Sequence, residues 1–80
     1  MIITTRHFRI RMDEEGSMLP AINASCEQGF LEHPYAFDWP EGHREAAEQL
    51  AAICDHQIVY SPGIFLMDGS QEHRAEPIHA

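Results

Sequence analysis

The sequence predicts one α+β domain, a small and mainly antiparallel sheet packed against one or two helices. Three observations carry this. Eighty residues suffice for a single domain, which buries only roughly 60–65% of the surface its unfolded chain exposes. Residues 2–12 alternate in the manner of a half-buried strand, and residues 39–56 gather apolar side chains on one side of a helix.

In IITTRHFRIRM, Phe8, Ile10 and Met12 fall on one face and His7, Arg9 and Arg11 on the other, giving a strand over 2–12. Asp13, Glu14, Glu15 and Gly16 then suit a turn. For SMLPAINASCEQGF a helix is the preferred reading. Ser17 caps it, Pro20 occupies its permissive first turn, Met18, Ile22 and Cys26 share a face, and Gly29 ends it. The competing reading is a strand returning in a hairpin beside residues 1–12, with Pro20 confined to an edge. Tyr35, Phe37 and Trp39 alternate with Ala36 and Asp38, as in a strand laid on a core.

The helix that follows is the best-defined element. Asp38 and Glu41 form a capping box and Pro40 fits the first turn. Leu50 centres an apolar face with Ala46, Ala47, Ile53 and Cys54, while Glu41, Glu45, Glu48 and Asp55 gather opposite, and the helix runs to about 56. Next, Ile58–Tyr60 and Ile64–Met67 flank Ser61-Pro62-Gly63-Ile64. Pro followed by Gly fits the centre of a type II turn, in a tight hairpin or a kinked strand. Residues 69–80 are polar and read as a loosely attached tail, leaving 1–68 as the globular domain.

Charge narrows the function classes. Thirteen acids oppose five arginines and no lysine, a formal net charge of −8, and three of the arginines lie in the acid-free residues 1–12. Such a field disfavours direct contact with nucleic acid or anionic lipid and favours a basic partner surface. The aromatics at 35, 37 and 39 have acids rather than bases nearby, which excludes a base-stacking platform. No apolar run is long enough to span a bilayer. Cys26 and Cys54, with no leader-like apolar segment ahead of them, read as reduced thiols of a cytoplasmic protein.

The stretch AAICDH sets Cys54, Asp55 and His56 side by side. On a helix, residues two apart diverge by about 200°, so thiol and imidazole cannot share a ligand while the helix lasts. A metal site would need the helix to end at Ile53 and further ligands from His33, His43 or Cys26. The spacings CxxC, HxxxH and HExxH are absent. Neither a glycine-rich phosphate loop nor GxSxG occurs. The expectation is therefore no metal, no cofactor and no catalysis.

Two binding hypotheses remain. In one, Glu41, Glu45, Glu48 and Asp55, then Asp13, Glu14 and Glu15, contact a basic protein surface. Helical carboxylates roughly 5–6 Å apart approach the spacing of backbone phosphates, so the row would imitate nucleic acid and block a nucleic-acid-binding assembly. In size and charge the chain resembles the inhibitors that phages and mobile elements encode, anti-CRISPR proteins among them, and the resemblance implies an inhibitor. In the other hypothesis the domain is a structural subunit or homodimer, joined through an edge strand such as 2–12, and its acidity confers solubility.

Overall fold

The computed structural model describes residues 1–12, 14–16, 18–34, 40–63 and 66–78. Along the chain run β1 (Ile2–Met12), β2 (Met18–Cys26), β3 (Gly29–His33), α1 (Pro40–Ile53), β4 (His56–Tyr60) and β5 (Gln71–Pro77). The strands form one antiparallel sheet in the order β3-β2-β1-β5-β4, and α1 packs on one face. The predicted α+β class is the fold observed.

β1 has the predicted bounds but is no edge. It pairs with β2 from Thr4 to Met12 and with β5 from Ile2 to Thr5. Ile3 and Thr5 are buried beneath the helix and Ile2 and Arg6 are exposed, the alternation of a sheet covered on one side. Beyond Thr5, β1 loses β5 as a neighbour, and beyond Ile22, β2 loses β3. The remaining lengths of β1 and β2 continue as a two-stranded ribbon with a bulge between Arg9 and Arg11, along a molecule 48 Å in its longest dimension. The Tyr35–Trp39 strand, the Asp38 cap and the Ser17 cap lie outside the described residues.

The preferred helix over 17–29 is overturned. Met18–Cys26 is a strand, and a two-residue turn, Glu27-Gln28, joins it to β3 with Cys26 opposite Gly29. Pairing to β1 and β3 outweighs the local helical pattern. Ile22 and Ala24 go under the helix and Ser25 out to solvent. Pro20 sits where β2 has a neighbour on one side only, the edge position that a residue without an N–H requires.

α1 starts at Pro40 but stops at Ile53, three residues earlier than expected. The Cys54 amide is shared between the carbonyls of Leu50 (3.2 Å) and Ala51 (3.0 Å), and the Asp55 amide reaches Ala52 at 3.2 Å, a tightened last turn. Asp55 adopts φ 57°, a left-handed conformation that Asp tolerates and that ends the helix. Gly42, His43, Ala46, Ala47, Leu50 and Ala51 form the buried face. Ile53, placed on that face by its spacing, is 72% exposed: burial needs sheet beneath the face as well as the face.

The expected loose tail is also overturned over Gln71–Pro77, which forms a strand between β1 and β4. Gln71, His73 and Ala75 point inward and Glu72, Arg74 and Glu76 outward. The turn entering β5 is closed by the Gly69 amide on the Leu66 carbonyl (2.9 Å) and the Leu66 amide on the Ser70 carbonyl (2.7 Å), with Gly69 at φ 82°. This is a short hairpin loop ending in a left-handed glycine. The Asp68 carboxylate accepts from the Ser70 amide (3.0 Å) and hydroxyl (2.6 Å). Those two bonds, then the Arg6 guanidinium, hold Asp68 below the ordinary carboxylate range. Gly63 has no positive φ, so the expected type II turn at Pro62-Gly63 does not form.

The core lies between α1 and the sheet. Among the described residues Ile3, Ile22 and Leu50 are its large fully buried apolar members, and Ala24, Ala46, Ala47, Ala51 and Ala75 let helix and strands approach closely.

Candidate functional site

The described acidic residues singled out from the sequence separate into three places. Glu41, Glu45 and Glu48 line the outer, exposed face of α1. The Glu48 carboxylate accepts from Arg44 Nε at 2.9 Å, and Glu45 lies 3.4 Å from His33 Nε2, an ion pair only when that ring is protonated. Arg44 therefore offsets part of the row's charge. Asp55 is exposed but off the helix, in the turn after it. Glu14 and Glu15 are exposed at the tip of the β1–β2 ribbon, roughly 20 Å of strand beyond His7, so they do not join the helix row. Asp13 lies outside the described residues.

Beside the acidic face runs a concave surface between α1 and β4. One hollow of about 330 Å³ is lined by Glu48, Ala52, His56, Gln57 and Ile58. A second of about 250 Å³ lies between Arg44 and Ile58–Ser61, and a third of about 180 Å³ between Pro40, Glu41, Arg44, Ser61 and Pro62. Ile58 is common to the first two, and Arg44 and Ser61 to the last two. They form one groove, with helix on one wall and the outer strand of the sheet on the other.

Beneath the N-terminal half of α1 lies a chain of buried polar groups that pattern reading missed. The Thr5 hydroxyl is 2.8 Å from His43 Nδ1 and 2.8 Å from His73 Nε2, and His73 Nδ1 is 2.9 Å from the Ser61 hydroxyl. Two arrangements satisfy all three contacts: Ser61 donates to His73 Nδ1, His73 Nε2–H to Thr5 and Thr5 to His43 Nδ1, or each donor and acceptor is exchanged along the whole chain. Gln71 Nε2 donates to the Pro62 carbonyl at 3.2 Å. Burial first, then the adjacent His43 ring, lower the His73 pKa to about 4, with Glu48 partly opposing. A ring held so low is neutral at pH 7, and its two nitrogens are both paired with hydroxyls inside the fold. One signal was available for His43: it stands seven residues before Leu50, two helical turns away on the same face.

The helix does end at Ile53, the condition a Cys/His metal site required, and Cys54 and Asp55 lie in the turn before β4 while His56 begins that strand. Burial, then the Cys26 thiol, then Asp55 push the Cys54 pKa above its ordinary value. Both cysteines are free. His56 Nδ1 donates to the Cys54 carbonyl at 2.6 Å. Among the described residues no three of His, Cys, Asp and Glu converge as a metal site, and no helix is long and apolar enough to cross a membrane. No family model, curated protein or solved structure matches the chain.

Proposed function

We propose that this domain is a non-enzymatic protein-binding module whose outer α1 face docks on the basic surface of a nucleic-acid-binding protein. The observation that supports it is the row Glu41, Glu45 and Glu48, all exposed on one helical face of a chain with net charge −8. Successive carboxylates at helical spacing meet lysine and arginine side chains arranged for phosphates. The domain thereby competes with nucleic acid for that surface and inhibits its owner, a role in keeping with the size and charge of phage-encoded inhibitors. Cytoplasmic action and the absence of catalysis belong to the same proposal.

The test is affinity capture with the wild-type domain and with Glu41→Gln/Glu45→Gln/Glu48→Gln. The expected result is a nucleic-acid-binding protein retained at low ionic strength, released by salt or by added duplex, and not retained by the triple variant. A salt-indifferent homodimer that behaves alike with and without the three carboxylates overturns the proposal and leaves a structural subunit in its place.

A further inference from the structure

The two edges that the sheet has among the described residues, β3 and β4, differ in a way that bears on how a partner would lie. β3 is guarded: it carries Glu32 and runs into Pro34, both of which discourage a further strand. β4 carries neither charge nor proline in His56–Tyr60 and has β5 on one side and no strand on the other among the described residues. Outward N–H and C=O groups on such an edge are a template for an extended chain. The α1–β4 groove opens directly along this edge, with Glu41 and Glu48 on its helix wall and Ile58 against its strand wall.

We infer that the groove receives an extended basic segment of a partner protein, which adds to β4 as a sixth strand. Alternate side chains of an added strand point to opposite faces of the sheet. On the helix side they meet Glu41 and Glu48, which selects lysine or arginine. On the other side they lie beside Tyr60, whose ring is half exposed under the Arg74 guanidinium 5.5 Å away, which selects an apolar residue. A second copy joined edge to edge through β4 would bring two acidic helices together, so charge favours a basic partner over self-pairing. The inference rests on the acidic-face reading above and adds the geometry of the bound segment.

The probe is a capped peptide of alternating lysine and valine, titrated into the isotope-labelled full chain. Two companions accompany it: the same peptide N-methylated on alternate amides, and a glutamate–valine peptide. Binding of the lysine peptide should shift the amides of His56–Tyr60 and spare those of Gly29–His33. N-methylation, which keeps charge and removes strand hydrogen bonds, should weaken it about tenfold or more. Glu41→Gln/Glu48→Gln should weaken it at low salt, and the glutamate peptide should not bind. Equal binding of the N-methylated peptide, still lost in the double variant, overturns strand addition while the acidic docking face stands. Binding indifferent to salt and to both glutamates overturns both. A dimer whose β4 amides are already protected assigns the edge to a second copy and also overturns the inference.

Discussion

The interior beneath α1 is built in two unlike halves. Toward the helix C-terminus, Leu50 packs with Ile3, Ile22 and a set of alanines. Toward the N-terminus, roughly 10 Å away along the axis, the interior is a hydrogen-bonded chain of Ser61, His73, Thr5 and His43 beside Gln71. Among the described residues, five of the eight largest fully buried side chains are polar: His43, His73, Gln71, Thr5 and Ser70. The apolar half is non-directional and contributes by area removed from water. The polar half contributes little net energy when complete but is costly when any member is lost. Among the described residues, polar contacts of defined direction add to the apolar ones in setting the helix on the sheet.

The largest expected effect lies in the apolar half. Leu50→Ala should cost about 2–5 kcal/mol in denaturant unfolding, since Leu50 is fully buried in the core cluster and its truncation leaves a cavity there. That is a large share of the stability of an 80-residue domain. A loss under about 1 kcal/mol would show that Leu50 does not anchor this half.

Acid should act on the polar half. His73 has a folded pKa of about 4 against 6.5 when unperturbed, lowered by burial and by His43. Below pH 6.5 the unfolded chain takes up a proton that the folded chain refuses. The His73 contribution is therefore fully present above pH 6.5, falls as pH drops and is gone below about 4, on the order of 3 kcal/mol in all. Unfolding free energies measured between pH 7 and 4 should decline with that slope in the wild type and more shallowly in His73→Gln. Parallel curves for the two proteins would place the titrating group elsewhere.

Next in size is Thr5, whose single hydroxyl serves two rings. Thr5→Val keeps the shape and removes the partner of His43 Nδ1 and of His73 Nε2, at about 1–3 kcal/mol. Thr5→Ser restores the hydroxyl and should recover most of the loss. If the serine variant is no better than valine, the methyl group matters and the hydrogen bonds do not.

The same division explains what the sequence disclosed. The apolar face of α1 and the bounds of β1 follow from periodicity, because buried Leu, Ile and Ala announce which side is inside. β5 was hidden because its inward residues are Gln71 and His73, letters that read as surface. The Asp68-Gly69 pair that starts it, a hairpin signal in its own right, stood at the head of an apparently polar tail. β2 carried helical and strand periods together, and only its neighbours decide between them. Of the candidate site, the exposed glutamates of α1 were legible from their spacing. The groove beside them was not, since it depends on which strand becomes the edge.

The smallest stability effect is expected at the surface, where the functional effect should be largest. Glu48→Gln removes the i,i+4 pair with Arg44, a pair in which both side chains are about half exposed or more. Such pairs are worth about 0.3–0.5 kcal/mol, so thermal unfolding should barely move. Releasing Arg44 also places an unpaired positive charge in the middle of the acidic row, beside Glu41 and Glu45. The row then loses one charge and the compensation of another, and attraction for a basic partner should fall more than removal of one carboxylate alone predicts. Arg44→Gln is the counter-test: it frees Glu48 and should strengthen low-salt binding of the lysine–valine peptide while changing stability by as little. If both variants move affinity in the same direction, the groove is not read by charge, and the helix face serves the interior it covers rather than a partner outside.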